Sequence, residues 1–261
     1  MERCAECCSR PKLSDLGFQV EDSSVFYRPQ WSKIPWFVFV IYRVVLALYF
    51  LGYYLGDSIQ QGETFSWRSF LYLTTLAFIV FIIYLVMAAV VAFLDGFISR
   101  KRSIPGMRIR HKLQWFLFNT TFSVNVIVVV TYWAVLYSPS ENFPVFNNIN
   151  VHLLTAVISL LDLLLTATPV RYLHVIYPIL FGLSYLAITL INWAAGGDVI
   201  YFILDYSNYP GLAAGTIIGV ITGVFIIHGV VWGLYKLRMW IWGRFGNIEI
   251  VDDEIKIEEA L

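Results

Sequence analysis

The sequence predicts an all-α, polytopic membrane protein with six transmembrane helices, and three observations carry that reading. Six stretches, 35–55, 70–94, 115–137, 148–166, 172–193 and 212–235, are dominated by apolar residues. Each is close to the roughly 20 residues that a helix rising about 1.5 Å per residue needs to cross the hydrocarbon core. Their apolar residues run continuously instead of alternating, which excludes a transmembrane barrel. The basic residues between them segregate by side. Of 18 Lys and Arg, 16 fall in segments 1–34, 95–114, 167–171 and 236–261, one (Arg43) lies inside a span, and only Arg68 lies on the other side. The positive-inside rule then places both termini in the cytosol. All nine Trp lie at or just beyond span ends, where an amphipathic ring prefers the headgroup level. The formal net charge of zero therefore says little, and no nucleic-acid partner is expected; the bilayer is the partner.

Residues 1–34 read as a cytosolic tail. They lack the apolar core of about 7–15 residues found in a cleavable signal, so the first span is expected to be an uncleaved anchor. Cys4, Cys7 and Cys8 are the only cysteines. Disulfides are disfavoured in the cytosol, and three thiols without a neighbouring histidine make a poor zinc site. Palmitoylated cysteines usually sit closer to a span than these, which are 27 residues or more from residue 35. Free thiols are the simplest reading, and neither metal nor cofactor is expected.

The first span carries Arg43, about 12 Å from the cytosolic boundary at helical rise. The fourth carries Asp162, about 6 Å from the same boundary, so a long guanidinium can bridge the gap and form a structural ion pair. Snorkelling of Arg43 to the headgroups is the competing reading. The second span opens on Thr74 and the fourth on His152, each four residues inside its start and about 6 Å deep by that count. A hydroxyl and an imidazole at one depth are the minimum for a base-activated nucleophile. Asn148 and Asn150 stand beside them as candidates to orient the imidazole or polarise a carbonyl.

The third span contains the sequon Asn119-Thr120-Thr121, which membrane burial should silence. In the fourth, His152, Thr155, Ser159, Asp162 and Thr166 recur at spacings that keep them within an arc of roughly 80°. Lipid cannot satisfy such a stripe, so it either glues helices or lines a pocket. His111, His174 and His228 read as interfacial or packing residues. The sixth span opens with Gly211, Gly215, Gly219 and Gly223, a bare face that permits close helix packing. Residues 35–235 form one membrane domain, and 236–261 a second cytosolic tail.

These residues bring a resemblance into view. The chain resembles the rolling stone family of invertebrate membrane proteins through Phe26-Tyr27-Arg28-Pro29-Gln30-Trp31, Phe39-Val40-Ile41-Tyr42-Arg43 and Tyr72-Leu73-Thr74. More specific blocks are Asn150-Val151-His152, Asp162-Leu163-Leu164-Leu165, Pro169-Val170-Arg171 and His174-Val175-Ile176-Tyr177-Pro178. Trp193-Ala194-Ala195-Gly196-Gly197, Ile203-Leu204-Asp205-Tyr206 and Pro210-Gly211 complete the set, which covers residues 26–240. The resemblance implies a role linked to myoblast or cell fusion, or to membrane organisation. It leaves the plasma membrane and the endoplasmic reticulum as locations. More distantly, Tyr72-Leu73-Thr74 and His152 are similar to the androgen-induced and androgen-dependent membrane proteins, six-helix threonine hydrolases. That similarity implies Thr74 and His152 as catalytic residues acting on fatty-acid esters of hydroxy fatty acids or related lipid esters.

Overall fold

A computed structural model describes residues 12–60, 67–99, 106–137 and 145–246. The three cysteines and residues 247–261 lie outside them. Six helical segments are long and apolar enough to cross a membrane: Trp36–Ile59, Leu73–Ile98, Ile109–Leu136, Val145–Leu165, Tyr172–Ala194 and Pro210–Arg244. We name the α-helices α1 (Trp36–Gln60), α2 (Leu73–Ser99), α3 (Ile109–Thr131), α4 (Val145–His152), α5 (Leu154–Leu165), α6 (Ile176–Ala194) and α7 (Pro210–Ile241). The fourth span is α4 and α5 together, interrupted at Leu153, whose backbone (φ −127°, ψ −54°) leaves the helical range. The third and sixth segments outrun the apolar stretches furthest. The third starts at Ile109 because Asp95 at the end of α2 accepts hydrogen bonds from Arg110 and His111, holding their polar first turn in place. The sixth continues to Arg244 because Arg238 is buried and satisfied by protein.

α3 is the central helix, packed against α2, α5, α6 and α7. It is also the least hydrophobic of the six segments and the most buried. The two facts have one cause: a helix surrounded by protein need not be lipophilic all round. Its polar residues bond inside the bundle, Thr120 and Thr121 to carbonyls one turn back and Asn125 to Ser159. Asn119 is buried and donates to the carbonyl of Trp115, so the sequon is closed to modification. Outward faces carry Ile41, Val45 and Leu48 of α1 and Ile218, Ile226 and Val230 of α7, all exposed. That is the pattern expected where lipid is the solvent. Gly211, Gly215 and Gly219 lie on the open side too, with nothing within 4 Å of where a side chain would begin; only Gly223 meets a helix, at Ile127.

Residues 12–35 do not dangle from the basic end of the bundle; they form a strap across it. Arg171 donates to the carbonyls of Gly17 and Gln19 (2.6 Å each), and Tyr177 donates to that of Leu16 (2.7 Å). Gln114 donates to Phe26, and the Gln30 amide donates to Leu165. Phe26 and Tyr27 are buried with Val91 and Trp115.

Candidate functional site

At the end opposite the basic face, α2, α3, α6 and α7 enclose a cavity of about 110 Å³. Its walls are almost wholly apolar, with Ile127, Val128, Ile179, Leu183, Val220 and Val224 among them. The third span widens into a π-helical turn over Tyr132–Leu136, which brings Tyr132 and Leu136 to the cavity wall. Local insertions of this kind re-aim side chains and recur at functional sites.

The roof is the loop between α6 and α7, and its sequence explains its shape. Gly196, at φ 76°, takes the left-handed conformation that ends a helix. The Gly196 amide donates a hydrogen bond to the Trp193 carbonyl and the Gly197 amide one to the Asn192 carbonyl, which closes that turn. Asp205 accepts from the amides of Ser207 and Asn208, and Pro210 opens α7. Trp193 donates to Ser207, and Thr189 bonds the Tyr206 hydroxyl at 2.7 Å. The loop so fixed lays Tyr201, Ile203 and Leu204 over the cavity.

Thr74 lies on the cavity wall, in the first turn of α2. The hydroxyl of Tyr201 lies beside Thr74 and the first amides of α2, on the same cavity wall. Burial pushes the Tyr201 phenol above its ordinary pKa, so Thr74 faces a protonated partner and not a base. His152 stands elsewhere. Its ring stacks on Tyr132 with centroids 3.5 Å apart and planes 4° apart, and its Nδ1 is buried with no partner. No hydrogen bond joins Thr74 to His152 among the described residues. The count that gave Thr74 and His152 equal depth shifts with where the helical segments begin. Thr74 is the second residue of its helical segment and His152 the eighth, an offset of about 9 Å at helical rise if both start at one level. Asn148 accepts from the Tyr132 hydroxyl (2.7 Å); Asn150 accepts from Tyr49 (2.6 Å) and donates to the Phe146 carbonyl. Neither bonds His152.

Arg43 and Asp162 are brought together. Arg43 Nη1 donates to Asp162 Oδ2 at 2.5 Å, and both side chains are fully buried. Two phenols complete the group: Tyr42 donates to Oδ1 at 2.7 Å and Tyr84 donates to Oδ2. Phe39, Tyr42 and Tyr84 present their rings to the guanidinium at 5.1–5.9 Å. The stripe below His152 is buried at Thr155, Ser159, Asp162 and Thr166 and faces the bundle, where it bonds its own helix, α3 and the arginine.

The remaining histidines are structural: His111 bonds Asp95, as described above. His228 donates from Nε2 to the Arg171 carbonyl, which can only accept, so Nδ1 accepts from Ser123 at 3.1 Å. His174 is walled by Phe18, Trp115 and Tyr177. No group of three His, Cys, Asp or Glu able to hold a metal occurs among the described residues. Sequence reasoning missed Tyr201, Tyr132, Tyr42 and Tyr84. Tyrosine is ordinary in apolar spans; the available signal was that a mid-span phenol also needs a partner.

Fold and site together define a helical multi-pass membrane protein with an apolar cavity at one end and a buried ion pair nearer the other. The family described as "Protein rolling stone" matches residues 3–249, and the chain belongs to that family. Among its relatives, the "Protein rolling stone" of Drosophila melanogaster is 29% identical over 243 residues, covering 86% of this chain and 87% of that one. No solved structure matches.

Proposed function

We propose that the cavity between α2, α3, α6 and α7 admits a short segment of the acyl chain of an amphipathic lipid that otherwise lies in the bilayer, and that this protein acts in membrane organisation of the kind linked to cell fusion. The cavity carries the reading: apolar walls suit an acyl chain, and the hydroxyls of Thr74 and Tyr201 offer its polar end hydrogen bonds near the membrane surface. The test fills the cavity. Gly182 lines it and has nothing within 4 Å of where a side chain would begin. Gly182→Leu should abolish crosslinking by a photoactivatable fatty-acyl probe. Thermal stability should hold or rise, because Leu gains about 0.5–1 kcal/mol of helix propensity over Gly. Undiminished crosslinking in a folded variant sinks the reading.

The second reading is hydrolysis of a lipid ester, favoured because Thr74 lines this cavity and His152 stacks on a ring that lines it too. The Thr74 proton would pass to the imidazole as Oγ1 attacks the ester carbonyl. The alcohol would leave with that proton, and water would release the acid. The step needs Thr74 to exchange Tyr201 for His152 at about 2.6–3.2 Å. Fluorophosphonate labelling that disappears in both Thr74→Ala and His152→Ala supports it. Labelling that persists in Thr74→Ala excludes that nucleophile.

A further inference from the structure

The strap begins level with the bilayer, not out in the water. Its first element, a short 3₁₀ turn over Leu13–Leu16, packs beside Tyr172–Val175, which opens the fifth helical segment. Tyr177, within the first two turns of that segment, donates to the Leu16 carbonyl at 2.7 Å. The Phe18 ring stacks on Tyr177 with centroids 5.1 Å apart and planes 21° apart. The turn is closed at its start, where the Lys12 amide donates to Asp15 Oδ2 at 2.8 Å, and clamped just beyond its end by Arg171 on the Gly17 and Gln19 carbonyls. Lys12 is therefore held at this level. Leu13 beside it is 80% exposed, and Tyr172, Ile176 and Leu180 on the neighbouring helical segment are exposed as well. A leucine so placed loses contact with water when it enters the acyl boundary of the adjoining leaflet.

This placement changes the reading of the cysteines. Cys4, Cys7 and Cys8 precede the described residues, so chain length alone limits where their thiols can go. Along the sequence they are 27 residues or more from residue 35, which disfavours acylation. Through the fold the relevant distance is to Lys12, four residues from Cys8, five from Cys7 and eight from Cys4. At no more than about 3.6 Å per residue, those tethers reach at most about 14, 18 and 29 Å. Cys7 and Cys8 thus stay close to the headgroup layer, in the juxtamembrane position where reversible S-acylation occurs. Arg3, Arg10 and Lys12 outnumber Glu2 and Glu6 over residues 1–12, a balance that favours the anionic cytosolic leaflet.

We propose that the strap presents Cys7 and Cys8 to the cytosolic leaflet for S-acylation by a long-chain acyl coenzyme A, and that the acyl chains enter the leaflet beside Leu13. The cysteine thiolate attacks the acyl carbon, and the bond from that carbon to the coenzyme sulfur breaks as the new thioester forms. The coenzyme thiolate takes up the proton that the cysteine released, so the exchange is redox-neutral. The modification stands apart from the apolar cavity, which lies at the opposite end of the bundle. Full-length protein from cultured eukaryotic cells is tested by acyl exchange. Free thiols are blocked, hydroxylamine cleaves thioesters, and a maleimide polymer marks each thiol released. The parent should show two hydroxylamine-dependent mobility shifts. Cys4→Ser should keep both, and the double change Cys7→Ser, Cys8→Ser should lose both, with melting in detergent showing that each variant is folded. A helical spacer of about 20 residues inserted between Arg10 and Pro11 adds about 30 Å at helical rise and should abolish the shifts while leaving the strap intact. A parent without hydroxylamine-dependent shifts overturns the proposal, as do shifts that survive in the double variant. Shifts that survive the spacer overturn it too, because the strap would then not be what presents the thiols.

Discussion

Asp162 receives three donors, Arg43, Tyr42 and Tyr84, whereas among the described residues Arg43 has Asp162 as its only anionic partner and its Nε and Nη2 lack hydrogen bonds. That asymmetry ranks the single changes. Arg43→Leu leaves a carboxylate with two phenols. Asp162→Leu leaves a buried guanidinium with a 3.3 Å contact to Tyr84 and three ring faces, and should cost more, on the order of 3–5 kcal/mol. Detergent melting of the two single variants and the double should show the double recovering part of the loss; additive losses would argue against coupling. Asp205 gives a pH-dependent case outside the spans. The Asn208 amide, followed by its side chain and the Ser207 amide, holds its carboxyl below the ordinary value. A depressed carboxylate contributes stability above its unfolded pKa of about 3.9 and loses it as pH falls through the folded value. The melting temperature should therefore drop on acidification below about pH 4, and Asp205→Asn should flatten that limb. Counting residues along helices could place Arg43 near Asp162, because depth is a one-dimensional quantity. It could not find the phenols or part Thr74 from His152, because those depend on which helices are neighbours and where each begins.

Helix ends decide the next level. In sequence Arg238 belongs to the basic tail, since a cation after an apolar run reads as the exit from the membrane. It is buried, and its guanidinium donates to the carbonyls of Leu163 (2.5 Å), Thr166 and Thr168 (3.1 Å). α5 ends at Leu165, so Arg238 supplies donors to a helix terminus that has none of its own and places a cation at the negative end of the dipole. Arg238→Met should cost about 3 kcal/mol, as the carbonyls lose charged hydrogen bonds. Arg238→Lys should recover little, since an ammonium cannot span three carbonyls as the planar fork does. Equal melting temperatures for Arg238→Lys and the parent would refute the capping role. The α1–α2 contact depends on an absence instead. A side chain at Gly96 would begin 1.9 Å from the Trp36 indole nitrogen, so Gly96→Ala should force α1 and α2 apart and lower the melting temperature. The number and order of spans were legible because hydropathy is local. The strap was not, because its polar sequence looks like a tail until Arg171 and Tyr177 claim its carbonyls.

For the whole molecule the remaining variable is orientation. The 16 basic residues of one side occupy segments at both termini and two interior loops, so no single segment carries the bias. Their distribution also matches the architecture. The strap, the Asp95–Arg110 pair and the Arg171 anchor all gather at one end, while the opposite end carries the cavity roof and Arg68. A polar strap bonded across helix ends has to fold from water, and residues 12–35 meet the bundle at its basic end, which the positive-inside rule assigns to the side of synthesis. Tags at either terminus should therefore be digested by protease only when the cytosolic face is opened. A tag near Asn142, in the loop before the fourth span, should be digested from outside or within the lumen. Replacing Arg100, Lys101 and Arg102 with Gln should leave that result unchanged, because the other basic segments still outweigh Arg68. A parent protein whose Asn142 tag is reached only from the cytosol would invert every loop. It would put the apolar cavity in the cytosolic leaflet and the strap outside.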